Sequence, residues 1–129
     1  RRLTNKVELN KKDIIIEEEF LLDDAKVAII AYGSVARAAQ RTMKLAREKG
    51  IKAGLLKLIT LWPFSDETIN RLAGQVDLII VPEMNLGQMS REVERAAGGK
   101  CRVISYSRVD GELINPLEIL TRIMEESKL

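Results

Sequence analysis

Four short, almost wholly apolar runs recur along the chain, and each leads into a segment with helical periodicity. The first run, Val27–Tyr32, is rich in β-branched residues and ends at Gly33 and Ser34. A run that is apolar at successive positions has no polar face, which is typical of a strand covered on both sides in a parallel sheet. The other three runs predict strands at 52–59, 76–81 and 102–106.

Four amphipathic helices are predicted to follow these strands. The first ends at Gly50, as a helix with a C-terminal glycine would, and the last has Asn115 as its N-cap and Pro116 in its first turn. Ser65 precedes two acidic residues and is predicted to cap the second helix. The predicted helices span 34–49, about 65–73, 88–97 and 115 onward.

The alternation of strands and helices predicts an α/β fold with a mostly parallel sheet and helices on both of its faces. The second strand is expected on one flank of the first strand, and the third strand on the other flank. A reversal of this kind opens a crevice at the carboxyl edge of the sheet, between the first and third strands. The turn at Gly33 and Ser34 and the loop at 83–88 are predicted to line this crevice.

Residues 1–24 are the segment whose structure the sequence leaves most open. Apolar residues recur at spacings that fit one face of a helix, whereas the run Ile14-Ile15-Ile16 has high β-propensity. We favour a helix over a strand. The helix would form an N-terminal arm before an α/β domain at 25–129.

Composition narrows the functional classes. Apolar residues make up 46% and charged residues 31% of the 129 positions, which is ordinary for one globular domain. The net charge of +2 and the aromatic content of 4% do not favour a nucleic-acid partner. No apolar run approaches the ~20 residues of a membrane span, and no signal peptide is visible. The chain begins at Arg1 rather than Met, which we interpret as a processed end or, preferably, as the start of a piece of a longer protein.

The chain contains few side chains of the types that most often act in catalysis or bind metal ions. There is no histidine, which removes the commonest general base and the commonest metal ligand. The one cysteine, Cys101, can form no internal disulfide and cannot ligate an iron–sulfur cluster or a structural zinc alone. It opens a predicted strand and is interpreted as an inert core thiol. No catalytic, cofactor-binding or metal-binding residue is therefore predicted in this chain.

The turn after the first strand is a candidate anion site, because the free N–H groups and the dipole of the next helix point toward it. Gly33 and Ser34 are followed by Arg37, but the second and third glycines of a dinucleotide fingerprint are missing. We therefore favour a simple turn with Ser34 as the helix cap. The basic stripe on the outer face of this helix is interpreted as solvated, with a phosphate-facing role as the alternative; it contains Arg37, Arg41, Lys44 and Arg47.

Three polar residues lie at the end of the third strand and after it: Glu83, Asn85 and Gln88. No second carboxylate accompanies Glu83, so the acid–base pair of a hydrolase is not indicated. We interpret these residues as groups that hold a loop or a protein contact, in preference to direct ligand contacts. Trp62 and Phe64 lie in the loop after the second strand. An aromatic pair in such a loop either covers the core or anchors an interface, and we weigh these two roles equally.

Three stretches together resemble a known family. They are 31–37, read as Ala-Tyr-Gly-Ser-Val-Ala-Arg; 54–64, which ends in Trp-Pro-Phe; and 81–88, read as Val-Pro-Glu-Met-Asn-Leu-Gly-Gln. In this order and spacing they resemble the 2-oxoacid:ferredoxin oxidoreductases, and more narrowly the C-terminal domain of the α subunit of 2-oxoglutarate:ferredoxin oxidoreductase. The resemblance runs from about Leu3 to the end of the chain. Ser65 departs from the proline that usually follows Trp-Pro-Phe.

The resemblance implies a fold similar to the transketolase C-terminal domain, a three-layer α/β/α sandwich. Its mixed sheet would have five strands with an antiparallel first strand, so a fifth strand is expected at 14–20 or near Leu113, or is missing. The parent enzyme would decarboxylate 2-oxoglutarate oxidatively to succinyl-coenzyme A and reduce ferredoxin. Its cofactors would be thiamine diphosphate, magnesium, a [4Fe–4S] cluster and coenzyme A, and the first three would be held largely by the β subunit.

Two functional hypotheses follow. The first is a non-catalytic assembly domain of a cytoplasmic enzyme. Its contacts with the remaining α-subunit domains and the β subunit would come from Trp62, Phe64, Glu83, Asn85 and Gln88. The second is a module that binds a small anion, such as phosphate or part of coenzyme A, in the crevice between Gly33 and Glu83, with Arg37 near the turn. Neither hypothesis involves nucleic acid or a membrane, and neither expects turnover by the fragment alone.

Overall fold

Six strands and four helices occupy residues 3–10, 13–59, 64–83, 88–107 and 114–126, the part of the chain that the computed structural model describes. The strands are β1 (Leu3–Asn10), β2 (Asp13–Phe20), β3 (Val27–Tyr32), β4 (Ala53–Leu58), β5 (Leu78–Glu83) and β6 (Arg102–Ser107). The helices are α1 (Val35–Glu48), α2 (Asp66–Ala73), α3 (Gln88–Ala97) and α4 (Pro116–Glu126). All six strands belong to one sheet, in the order β1-β2-β4-β3-β5-β6.

Strand β3 lies in the interior of this sheet. It pairs in parallel with β4 on one side and with β5 on the other, which confirms the flank order predicted from the sequence. Strand β6 then adds in parallel to β5. Residues 27–31 are all buried, because helices cover β3 on both faces.

The helices form the two outer layers. Alternate residues of β3 point into two separate cores, since successive side chains of a strand face opposite ways. Ile30 lies in the core that includes Ile69 of α2 and Val93 of α3, whereas Ile29 lies in the core that includes Met43 of α1 and Ile119 of α4. The predicted three-layer α/β/α sandwich is therefore confirmed.

The helical arm predicted for residues 1–24 is wrong. Strands β1 and β2 form an antiparallel hairpin, and β2 continues antiparallel along the edge of β4, with Glu17 opposite Leu58 and Phe20 opposite Leu55. Pairing within the hairpin, and of residues 17–20 with the open edge of β4, satisfies backbone N–H and C=O groups of this segment, so tertiary context outweighs a weak helical period. The antiparallel strand implied by the resemblance is thus β2, while β1 raises the sheet to six strands, beyond the four or five expected. The division of the chain after residue 24 remains a prediction.

Of the predicted N-caps of α4 and α2, the structure confirms the first but not the second. Asn115 caps α4, because the backbone N–H of Leu117 donates to its Oδ1 at 2.8 Å. Ser65 occupies the N-cap position of α2, but its side chain makes no capping hydrogen bond and its Oγ is buried without a partner. The first turn of α2 instead carries Asp66 and Glu67, whose charges favour a helix N-terminus.

The connection between β2 and β3 is held against α1 by one arginine. The Arg47 guanidinium donates to Ala53 O at 2.9 Å through Nε, to Leu21 O at 2.9 Å, and to the Asp24 carboxylate at 2.7 Å. Arg47 is therefore not part of the solvated stripe predicted from the sequence. Its hydrogen bond, the largest cause, lowers the pKa of Asp24 below the ordinary 3.8.

A glutamine holds the same connection from the side of α2. Gln75 follows α2, and its Nε2 donates to Leu22 O at 2.6 Å and to Ala25 O at 3.2 Å. Leu22 O also accepts the backbone N–H of Ala25, so Gln75 reinforces a turn that the backbone already closes. Residues 21–25 are thus anchored by side chains from both helical layers.

Strand β4 passes this connection at very close range. A Cβ atom placed on Gly54 would lie 2.7 Å from the backbone oxygen of Leu21 and 2.7 Å from Cδ2 of Leu22. The backbone contact cannot be relieved by a rotamer change. Glycine is therefore required at this position for steric reasons.

Gly54→Ala is predicted to destabilise the domain by roughly 1–3 kcal/mol, because overpacking forces the 21–25 connection away from β4. Urea unfolding followed by far-UV circular dichroism measures the change. Gly74→Ala is the matched control, since a Cβ at Gly74 would meet its nearest atom at an ordinary 3.5 Å. Equal unfolding midpoints for the two variants would contradict the close approach.

Asp24→Asn is predicted to lower the free energy of unfolding at pH 7 and to have no effect in strong acid. The folded pKa of Asp24 lies below its unfolded value, so its stabilising contribution is complete above that value and disappears as the pH falls through the folded pKa. Urea unfolding at pH 7 and at pH 2 measures the difference, with the exposed neighbour Asp23→Asn as control. A constant difference between wild type and Asp24→Asn across this range would refute the role of Arg47.

Candidate functional site

The candidate site is the carboxyl edge of the parallel strands. At this edge β3 and β5 lie side by side, and the chain leaves them in opposite directions, to α1 on one face and to α3 on the other. Their ladder ends with Ile29 opposite Ile80, whereas β3 stays paired with β4 as far as Tyr32. Since adjacent parallel strands end at the same edge, Ser34 and Glu83 are at the same end of the molecule, as predicted.

The turn after β3 is shaped by its backbone. Gly33 has a φ of 69°, in the left-handed region that glycine adopts without steric cost. Ser34 stands at the N-cap position of α1, but with φ −65° and ψ −22° it is already helical, and its side chain makes no capping bond. The predicted Ser34 cap is therefore wrong. Backbone bonds close the turn instead, from Ala36 N to Gly33 O and from Arg37 N to Ser34 O.

Glu83 is used within the chain. Its carboxylate is 2% exposed and accepts hydrogen bonds from the backbone N–H groups of Met89, at 2.9 Å, and Ser90, at 3.2 Å. A carboxylate at a helix N-terminus satisfies free N–H groups and complements the helix dipole. Glu83 thus holds the start of α3, in agreement with the loop-holding interpretation. Gln88, the first residue of α3, is exposed, and Asn85 lies outside the described residues.

The aromatic pair predicted at this edge is only partly described. Phe64 is 8% exposed and belongs to the core that contains Leu56, Leu58 and Ile69. Of the two roles that the sequence left open for Phe64, the structure places it in core cover. Trp62 lies outside the described residues, so its role stays a prediction.

A cavity of about 600 Å³ opens beside the Gly33–Ser34 turn, between α1 and the start of α4. It brings together two of the predicted site residues, Ser34 and Arg37, but not Glu83 or Gln88. Arg41 also forms part of the wall. The sequence placed it on the basic stripe of α1, interpreted as solvated with a phosphate-facing role as the alternative, and its spacing of four residues from Arg37 was the available signal. The lining residues are Ser34, Val35, Arg37, Ala38, Arg41, Ile114 and Pro116.

The cysteine content of this chain does not fit the [4Fe–4S] cluster that the resemblance implies for the parent enzyme. Cys101 could supply one of the four thiolates of a [4Fe–4S] cluster. It is half-buried at the edge of a core, and burial raises the pKa of its thiol, with a smaller contribution from Asp77. Within the described ranges, no group of three or more Cys, Asp or Glu side chains is placed to hold a metal ion.

The length and apolar character of a helix decide whether it can span a membrane. Among the described residues, none of the helices combines the length with the apolar character that a span requires.

Fold and site together define a three-layer α/β/α domain with its candidate site at the carboxyl edge of the parallel strands. The family model of the pyruvate:ferredoxin oxidoreductase core domain II matches residues 25–119, which is most of the chain. The chain belongs to this family, as the resemblance of its motifs indicated.

Relatives with known names support the same assignment. The chain is 39% identical to the 2-oxoglutarate synthase subunit KorA of Methanothermobacter marburgensis over 96% of its own length and 33% of the relative. It is 40% identical to the ketoisovalerate oxidoreductase subunit VorB of the same organism, over 84% of this chain and 30% of the relative. The chain thus spans about a third of the length of the curated relatives it matches.

Solved structures confirm the fold. The 2-oxoglutarate:ferredoxin oxidoreductase of Magnetococcus marinus, solved with 2-oxoglutarate, coenzyme A and succinyl-CoA bound, superposes with a TM-score of 0.72 at 25% identity, over 95% of this chain and 19% of that chain. A split-gene transketolase, an inactive β4 tetramer, superposes with a TM-score of 0.69 at 17% identity, over 83% of this chain and 40% of that chain. The second match shows the transketolase-like fold that the resemblance implied.

Glu83→Gln is predicted to destabilise the domain by about 1–2 kcal/mol, because an amide has one acceptor oxygen and no charge for two N–H groups of α3. Urea unfolding measures the loss, and hydrogen exchange at the amides of Met89 and Ser90 should accelerate. Glu94→Gln, an exposed change later in α3, is the control. Unchanged exchange at the two amides would show that Glu83 does not hold the helix.

Proposed function

We propose that this chain is a non-catalytic assembly domain in the α subunit of a 2-oxoglutarate:ferredoxin oxidoreductase. The observation that carries the proposal is the 39% identity to a 2-oxoglutarate synthase subunit over nearly the whole chain. The parent enzyme would oxidise 2-oxoglutarate to succinyl-coenzyme A in the cytoplasm and pass electrons to ferredoxin. Its thiamine diphosphate, magnesium and [4Fe–4S] cluster would be held outside this domain, largely by the β subunit.

The chemistry of the carboxyl edge supports a non-catalytic role. Catalysis on a 2-oxoacid needs groups that hold a cofactor or move protons, and this chain has no histidine and one cysteine. Two buried carboxylates lie at this edge among the described residues, and both are hydrogen-bonded within the domain. Glu83 accepts two backbone hydrogen bonds at the start of α3, and Glu17, opposite Leu58 at the end of β4, accepts one from the Thr68 hydroxyl. The remaining polar residues there are suited to contacts with other domains.

The pattern of similarity also supports a role remote from the substrate. Subunits named for 2-oxoglutarate and for ketoisovalerate are equally similar to this chain, at 39% and 40% identity. A domain that contacted the distinguishing part of the 2-oxoacid would be under different constraints in the two enzymes. We therefore propose that selection among 2-oxoacids resides in other parts of the α and β subunits.

A second candidate function is the binding of a small anion, such as phosphate or part of coenzyme A. The observation that favours it is the pair Arg37 and Arg41 on the wall of the cavity beside Ser34. The version with Glu83 in the same crevice is not supported, because the Glu83 carboxylate is buried against α3. Calorimetric titration of this chain with coenzyme A, thiamine diphosphate and 2-oxoglutarate separates the two functions, since an assembly domain gives no heat with any of them.

Trp62→Ala in the complete α subunit is predicted to weaken its association with the β subunit, because an aromatic anchor at an interface carries a large share of the binding energy. We expect the dissociation constant to rise roughly tenfold or more, as for a central aromatic residue. Sedimentation velocity of the two-subunit enzyme measures this. Lys49→Ala, at the exposed end of α1 at the opposite edge, is the control. Equal association of both variants would argue against an assembly role for this edge.

A further inference from the structure

We propose that the cavity between α1 and α4, here called the α1–α4 groove, receives an acidic polypeptide segment from the remainder of the α subunit. The groove is the cavity whose lining residues are given above. The inference rests on the proposed assembly function and adds the surface and the chemistry of the partner. Three features carry it: uncompensated charge, an apolar floor and an open shape.

The groove carries uncompensated positive charge. Arg37 and Arg41 are exposed and one helical turn apart on α1, and neither makes an ion pair or a side-chain hydrogen bond with any other described residue. The first turn of α1 contains no acidic residue that could balance them. Five other arginines do form ion pairs inside the described chain: Arg47, Arg71, Arg95, Arg102 and Arg122.

Another charged cavity differs from the α1–α4 groove because acidic residues also line it. It has a volume of about 380 Å³ and lies at the opposite, amino edge of the sheet. Lys26, Lys52 and Arg102 line it, but so do Asp77 and Glu126. Arg102 pairs with Glu126, and this hydrogen bond is the main cause of the lowered pKa of Glu126. The two carboxylates offset part of the positive charge of that cavity, whereas no acidic residue lines the α1–α4 groove.

The floor of the groove is apolar. Val35, Ala38, Ile114 and Pro116 contribute to it, and the next residue, Leu117, is 59% exposed. Apolar surface next to arginine, without lysine or acidic residues, is the composition that protein interfaces favour. A partner for this surface presents carboxylates to the two guanidinium groups and aliphatic side chains to the floor.

The shape of the groove favours a chain segment over a small ligand. Small-molecule sites enclose most of their ligand, whereas this groove is only partly enclosed. Guanidinium groups bind carboxylates in a bidentate, oriented way, and two of them one turn apart match acidic side chains of a peptide. The chain spans about a third of the length of its relatives' subunits, and the proposal assigns the acidic segment to the part of the subunit that corresponds to the remaining two thirds.

Zero-length cross-linking of the assembled enzyme tests the proposal. Arg41→Lys keeps the positive charge and introduces an amine, which a carbodiimide couples only to a carboxylate in direct contact. We expect mass spectrometry to find position 41 joined to an aspartate or glutamate of the α subunit outside this domain. A cross-link to the β subunit, a cross-link confined to residues 1–129, or no cross-link at all would overturn the proposal.

Charge reversal gives a second readout. Arg37→Glu with Arg41→Glu in the complete α subunit should release the segment and raise the rate of limited proteolysis between this domain and the rest of the subunit roughly tenfold or more, as expected for lost charge pairs. Lys49→Glu with Arg91→Glu makes the same change in net charge on exposed residues elsewhere and should leave the rate unchanged. Equal rates for the two double variants would overturn the proposal.

A third measurement separates a small-anion site from a docking site. If inorganic phosphate or coenzyme A gives heat with this chain and the heat disappears in the Arg37→Glu, Arg41→Glu variant, the groove binds a small anion and the docking proposal is overturned. These outcomes are independent of the Trp62 experiment. An enzyme that needs Trp62 for assembly but tolerates charge reversal in the groove would retain its assembly domain and lose only the docking surface.

Discussion

Burial of β3 on both faces and along both edges is the constraint on which the rest of this structure depends. Five consecutive side chains, residues 27–31, are shielded from water. Each of the two fully buried isoleucines, Ile29 and Ile30, contributes roughly 1.5–3 kcal/mol by the hydrophobic effect. A strand so placed has no polar face, so it requires a helical layer above and below and a parallel neighbour on each side. The turn that follows it is consequently brought to the edge where the neighbouring strand β5 also ends.

This constraint is readable in the sequence, which is why the parallel core was predictable. The bounds of β3 and α3 agree with the apolar runs, and the order of β4, β3 and β5 follows from short crossovers. Strand β5 lies two residues later than predicted. Pro82 and Glu83 read as loop residues, yet a proline is tolerated at the end of a strand and Glu83 is turned toward α3.

Two predictions failed for different reasons, one because it depends on a partner distant in sequence and the other because it depends on local backbone geometry. Residues 13–20 have both helical spacing and β-branched character, and the choice is decided by the free edge of β4, about forty residues later. Ser34 and Ser65 have the right residue type for caps, but their backbone angles and surroundings prevent the bond. In the candidate site, Arg37 and Arg41 line one groove because the start of α4 forms its opposite wall. The helical spacing on α1 alone does not predict that wall.

The double anchoring of residues 21–25 has a mechanical consequence. The Arg47 guanidinium donates a hydrogen bond to this connection from the α1 layer, and the Gln75 amide donates one from the side of α2. Gly54 has no Cβ, so the connection can lie directly on β4. The end of β2 at residues 17–20, which pairs with β4, is therefore fixed to the parallel core through its neighbouring connection as well as through its own ladder. A force applied at this end of β2 is transmitted to both helical layers.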